Sequence, residues 1–287
     1  MRRKLLLGGI LLSLLLVICP NVMAESYYSN NNGVAMSESE YNKMVEIYGA
    51  RHTAYLTQDE FDYYKDKTIV DSGTVYVKEN YINDVLVSEE EISEEEYNLS
   101  SDNDDSNEQT RYGSSASHTT NYKKLTANLV SLGNLNYSLV SHLEWKKVPA
   151  VKSYDVFAFY LQHFSYSGVT GSQYAYTSSG QYTYSYNSGS AGYKGLSSGA
   201  GISMNLKDGS NITGYDMFIS ATLHGDGSSF GHGNALVSYQ HAKVNLTRAQ
   251  SMSYSLGPTG LGGVIIFSSG VMSSYDGMAG VGVSGYF

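Results

Sequence analysis

Two long alternating runs on either side of one proline, within Leu135–Phe164, constrain the fold of this chain more than any other stretch. In the first run Leu135, Tyr137, Leu139, Ser141, Leu143 and Trp145 share one face. In the second, Val151, Ser153, Asp155, Phe157, Phe159 and Leu161 share one face, with Val156, Ala158 and Tyr160 on the other. Side chains alternate sides along a strand, so runs of this period read as half-buried strands. Val156–Leu161 is apolar on both faces, as a strand covered from both sides requires. Lys146, Lys147 and Pro149 separate the two runs. The pattern predicts that Trp145, Phe157, Phe159 and Leu161 are buried.

Alternation of the same kind recurs to the end of the chain, at Gln173–Thr177, Gln181–Asn187, Tyr215–His224 and Ala235–Leu246 among others. Turn residues punctuate it at Gly133-Asn134, Lys207-Asp208-Gly209-Ser210, Gly225-Asp226-Gly227 and Gly257-Pro258. About ten short strands separated by such turns predict a mainly β fold, a jelly-roll-like antiparallel β-sandwich over residues 118–287. The clearest hairpin is Gln173–Asn187. A three-residue loop Ser178-Ser179-Gly180, with glycine in the left-handed position, would set Tyr176 opposite Tyr182 and Tyr174 opposite Tyr184. Opposed residues share a face. Tyr174, Tyr176, Tyr182, Tyr184 and Tyr186 would then form one aromatic surface, either a ligand platform or a packed sheet face.

Charge divides the chain. Residues 25–111 carry 21 acidic and 6 basic side chains, whereas residues 112–287 carry 6 and 9. The acidic part repeats an apolar residue, Ser or Thr, two polar residues, Glu, an aromatic and Asp or Asn. The three copies are MSESEYN from Met36, LTQDEFD from Leu56 and ISEEEYN from Ile92. A hydroxyl three residues before a glutamate is the signature of a capped helix start. It predicts helices over 37–48 and 57–66, the first ended by Gly49. Residues 25–99 thus read as a small acidic α/β segment, and the Ser-, Asp- and Asn-rich 100–117 as a disordered linker. That division predicts that Tyr112–Phe287 folds alone. The segments MSESEYNKM, LTQDEFDYY and ISEEEYN resemble short helical repeats in uncharacterised secreted proteins of Gram-positive Firmicutes. The resemblance implies export from a Gram-positive cell and gives no activity to carry over.

At the start, Arg2, Arg3 and Lys4 precede the apolar run Leu5–Ile18 and the small-residue site Val22-Met23-Ala24. That is the layout of a secretory signal peptide over residues 1–24. The apolar run is shorter than the roughly 18–20 residues that span a bilayer, and no transmembrane helix is expected in the mature chain. Cys19 is the one cysteine, so a mature chain from Glu25 would contain no disulfide.

Sites of chemistry are sparse. His224, Asp226 and His232 could ligate a metal, but they flank a glycine-rich loop and match no ligand spacing. Glu144 and Asp155 could serve a glycosidase only if they face each other. His241 shares a strand face with Tyr239 and reads as a structural histidine. No nucleophile elbow, zinc helix, phosphate loop or basic stripe is present, so neither a cofactor nor a nucleic-acid partner is expected. The reading that results is a secreted, extracellular, non-enzymatic protein whose sandwich binds a glycan or a protein. The alternatives are a pore-forming protein in contact with membrane and, more weakly, a glycan-acting enzyme.

Overall fold

The computed structural model describes residues 27–100, 117–225, 231–259 and 262–286. The expected signal peptide and nearly all of the expected linker lie outside these residues. The described chain opens with a small hairpin, β1 (Tyr27–Ser29) and β2 (Ala35–Ser37). It continues through α1 (Glu38–Thr53), α2 (Gln58–Tyr64), β3 (Ile69–Ile82), β4 (Val85–Ile92) and α3 (Glu94–Leu99). Next come β5 (His118–Gly133), β6 (Asn136–Trp145), β7 (Tyr154–Gln162), β8 (Phe164–Thr177) and β9 (Gly180–Asn187). These are followed by β10 (Tyr193–Leu196), β11 (Gly199–Asn205), β12 (Ile212–Gly225) and β13 (His232–Gln240). A short helix α4 (Arg248–Ser251), a small hairpin of β14 (Tyr254–Leu256) and β15 (Ile265–Phe267), and β16 (Val281–Tyr286) complete it.

Two antiparallel sheets form the expected sandwich. One has seven strands in the order β4-β3-β5-β6-β12-β8-β9, the other five in the order β10-β11-β7-β13-β16. Their facing sides enclose Leu129, Trp145, Phe157, Phe159, Leu161 and Tyr239, all buried. Each of the buried Leu and Phe side chains contributes ~1.5–3 kcal/mol by leaving water. β7 is central in its sheet, which explains its two apolar faces. Phe157 and Phe159 look into the sandwich, while Val156 and Ala158 lie under the β14–β15 hairpin with Tyr254, Phe267 and Tyr275.

Residues 25–99 do not stand apart as the charge asymmetry suggested. β3 pairs with β5 from Ile69 to Ile82 and lies inside the seven-stranded sheet. Removing it would expose the ladder edge of a long, mostly buried strand. α1 and α2 cover the outer face of the same sheet, packing Met44, Ile47, Tyr48, Phe61 and Tyr64 on Val130, Val140 and Phe218. Apart from buried Glu79, the described acidic side chains of this part lie wholly or partly in solvent, and the place of β3 within the main sheet argues against the expected autonomy of Tyr112–Phe287.

The predicted helix starts are present. Ser37 and Thr57 each accept from the backbone N–H three residues on, and Glu40 and Glu60 accept from the cap N–H in return. Ser93 caps α3 by accepting from Glu96 N–H. Gly49 breaks α1 at φ 77°, after which one more turn follows. A Cβ there would come within 2.3 Å of the His142 ring, so the break also lets the helix approach the sheet closely. At the β5–β6 turn Asn134 and Leu135 both take positive φ and form a two-residue loop. Leu135 is therefore an exposed turn residue, not a core residue.

Candidate functional site

The five tyrosines divide between two faces. β8 and β9 join through a two-residue loop, Ser178-Ser179, with Thr177 opposite Gly180. Gly180 opens β9 at φ 149°, inside the ladder, and its carbonyl accepts from the Thr177 hydroxyl at 3.0 Å. The register is one residue from that expected, and a one-residue slip moves alternate side chains to the other face. Tyr176 now opposes Gln181 and Tyr174 opposes Thr183, while Tyr182 opposes Ala175 and Tyr184 opposes Gln173.

Tyr174 and Tyr176 point outward, beneath α1. Tyr174 lies 4.4 Å from the His52 ring and Tyr176 5.9 Å from Tyr55. Tyr182, Tyr184 and Tyr186 point to the sandwich side of β9, an edge strand. Tyr186 packs partly against the core, and burial pushes its hydroxyl up to about 12. Tyr182 and Tyr184 lie beyond the core and are 46% and 36% exposed. Lys207 Nζ sits 5.6 Å from the centre of the Tyr182 ring.

Two charged clusters are built on opposite faces of the seven-stranded sheet. On the outer face, Arg51 of α1 donates to Asp216 Oδ1 at 3.0 Å and to the carbonyls of Trp145 and Tyr215. Glu144 lies 3.8 Å away. Tyr176 donates to Asp216 Oδ2 at 2.9 Å, and the guanidinium lies over the Tyr176 ring at 5.3 Å. Burial alone would raise the Asp216 carboxyl, but His142, Arg51 and Tyr176 together hold it below the ordinary carboxylate range.

On the inner face, Lys123 is completely buried, with its ammonium 2.7 Å from Glu79 Oε1, 2.5 Å from Asp276 Oδ2 and 3.8 Å from Glu89 Oε1. It stands 5.2 Å from the centre of the Trp145 ring. Tyr81 donates to Glu79 Oε2 at 2.7 Å, and the His241 backbone N–H donates to Asp276 Oδ1 at 2.9 Å. Burial, opposed by Lys123 and reinforced by Glu89 and Glu79, pushes Asp276 up to about 7. The oxygens of Glu79, Glu89 and Asp276 lie within 4.8 Å of one another, but the Lys123 ammonium already serves them as cation. Next to this cluster Asp155 accepts from the Tyr239 hydroxyl, His241 Nδ1 and Ala242 N–H.

The remaining candidates are placed as follows. His224 uses both ring nitrogens, Nδ1 to Asn136 at 2.6 Å and Nε2 to Ser167 at 2.9 Å. His232 is exposed on β13, and Asp226 lies outside the described residues. Glu144 sits on the outer face of its sheet with Arg51, whereas Asp155 is within the sandwich, so the sheet separates the two carboxylates expected of a glycosidase. His241 and Tyr239 share a structural partner in Asp155, as the strand pattern suggested. The inner cluster was not foreseen as a unit. A cleft of about 360 Å³ lies between α1 and the outer sheet face, lined by Glu46, Ser72, Thr74, Tyr76, Glu94 and Lys124 among others. Among the described residues no helix is long and apolar enough to cross a membrane. No known protein family matches the chain, and no curated protein shows significant similarity to it.

Proposed function

We propose that this chain is a secreted, non-enzymatic binding protein whose ligand face is the edge of β9, and that the ligand is a glycan. The carrying observation is the pair of exposed rings, Tyr182 and Tyr184, two residues apart on an edge strand. Side chains at this spacing stand about 7 Å apart along a strand, so neighbouring units of an extended ligand could each meet a ring. Tyr presents a flat apolar body with a polar tip, which suits a sugar ring that is apolar on its faces and hydroxylated at its rim. Lys207 and the half-buried Tyr186 extend the same strip.

The test is a glycan array probed with the secreted chain and with Tyr182→Ala and Tyr184→Ala. Binding by the parent that both variants lose, at unchanged melting temperature, is the expected result. Binding that survives both substitutions would remove the face from consideration. Leakage of dye from lipid vesicles without glycan binding would replace this reading by the membrane-active one. That alternative requires β8 to leave β12, with which it pairs from Ile212 to Gly225.

A further inference from the structure

The inner cluster is arranged for more than an ion pair. Lysine is the one common cationic side chain that becomes a nucleophilic amine when it loses its proton. Here that amine is sealed from water beside a carboxyl group that accepts one hydrogen bond from a backbone N–H and touches the amine with its other oxygen. A second carboxylate, Glu79, lies 2.7 Å from the same nitrogen and is steered by Tyr81. From this juxtaposition we infer that Lys123 and Asp276 condense spontaneously into an amide cross-link, with Glu79 as proton carrier.

The step balances without any co-reactant. The Lys123 ammonium first gives a proton to Asp276, leaving an amine and a carboxylic acid. Burial favours that neutral pair and pushes Asp276 upward, while Asp276, Glu79 and Glu89 together hold the Lys123 ammonium above its ordinary range, so the free amine is a minor species and this transfer is the uphill part of the step. The Nζ lone pair attacks Cγ of Asp276, forming the C–N bond. Negative charge develops on Oδ1, where the His241 N–H already donates, as an oxyanion stabiliser does. Glu79 takes the proton released by the nitrogen and passes it to Oδ2. The Cγ–Oδ2 bond breaks, and Oδ2 leaves as water. The product is a secondary amide plus one water, with nothing oxidised or reduced. Asp276 is the electrophile because its carboxyl accepts a backbone N–H on Oδ1 while Oδ2 touches the amine; Glu89 also accepts a backbone N–H, from Gly277, but its other oxygen stands 3.8 Å from the nitrogen.

The placement gives the bond a structural purpose. Lys123 belongs to the seven-stranded sheet, and Asp276 lies in the segment leading to β16 of the five-stranded one, 153 positions later. The amide would tie the two sheets together across the sandwich. Cys19 is the only cysteine, so no disulfide could do this.

The experiment is intact-mass measurement and peptide mapping of the purified full chain. The expected chain is lighter than its sequence by one water, and the peptides carrying Lys123 and Asp276 are recovered as one branched species. Mapping is needed because cyclisation at Asp276-Gly277 or at an N-terminal glutamate also loses water but joins no two peptides. In Glu79→Gln the full mass and two separate peptides are expected. Separate, unmodified peptides from the folded parent would overturn the proposal, and a branch to Glu79 would overturn the assignment of Asp276. A cross-link that forms undiminished in Glu79→Gln would overturn the proton-carrier role. The parent measurement needs no variant, so it decides the bond itself even if Glu79→Gln fails to fold.

Discussion

The same sheet carries one buried charge cluster on each face, and the two use their cations differently. On the outer face, Arg51 spreads over a carboxylate and two main-chain carbonyls, fastening α1 to β6 and β12. Its guanidinium keeps its proton at all relevant pH, offers several donors in a plane and stays partly exposed. On the inner face, Lys123 is a point charge closed in by carboxylates and the Trp145 ring. An arginine there could hold the layers together but could not form an amide. The difference separates a fastening from a potential reaction centre, and it lies in the identity of the cation more than in the number of charges.

Removing each cation should break the comparison unequally. Lys123→Met leaves Glu79 and Asp276 buried without compensation, a loss of one partner of a buried charge pair that costs roughly 3–5 kcal/mol, and in the cross-linked chain it removes the amide as well. Urea unfolding should show a drop of that size, and a drop below about 1 kcal/mol would mean that the inner charges contribute little to the fold. Arg51→Met should cost about 2–3 kcal/mol, the value of hydrogen bonds to a charged group. Asp216 keeps Tyr176 as donor, which limits the loss. Hydrogen exchange should then rise mainly in α1, because this cluster joins the helix layer to the sheet. Exchange that rises equally in β7 and β13 would contradict that division.

The two faces should also respond to pH in opposite directions. Glu60 of the helix layer is held down to about 2. Burial raises it, but hydrogen bonds from His52 and Thr57 outweigh that. A depressed carboxyl contributes stability above its ordinary value, near 4.5, and loses it as pH falls toward 2. Asp276 has the opposite sign. Its raised value contributes stability below its ordinary value and loses it as pH rises through about 7. Condensation with Lys123 would remove that carboxyl and leave only the acid-side loss. Urea midpoints measured from pH 2 to 9 should therefore lack a decline near neutrality in the cross-linked chain.

Much of the sandwich was legible in the sequence because alternation reports burial directly. Trp145, Phe157, Phe159 and Leu161 lie where their period places them. The helix starts were legible because a capping box satisfies its backbone locally. Partnership between distant strands was not. Nothing local in β3 states that it pairs with β5 within the main sheet, and its acidic surroundings argued for a separate segment. The inner cluster left one faint trace. Lys123 alternates with Leu125, Ala127 and Leu129, so a cation on the apolar face of a strand needed a buried anion. Which anions met it depended on topology, since Glu79 and Asp276 come from opposite ends of the described chain. The tyrosine face failed for a smaller reason, a single residue of loop length, because register in a hairpin follows from the turn.

That slip yields the smallest expected effect on stability and the sharpest contrast within one hairpin. Tyr176 is 5% exposed, donates to Asp216 and packs under Arg51, so Tyr176→Ala should destabilise the fold by about 3 kcal/mol or more. Tyr182 stands on the opposite face with nearly half its surface in solvent, so Tyr182→Ala should change stability by less than about 0.5 kcal/mol. If β9 is the ligand edge, the same substitution removes a ring from the contact and costs on the order of 1–2 kcal/mol in binding, about five- to thirtyfold. Thermal unfolding and glycan binding measured on both variants separate the two roles. Tyr176→Ala should lose stability, with any binding loss tracking the unfolded fraction, whereas Tyr182→Ala should lose binding alone. Equal destabilisation by both substitutions would return all the tyrosines to internal packing and leave the edge of β9 without a ligand face.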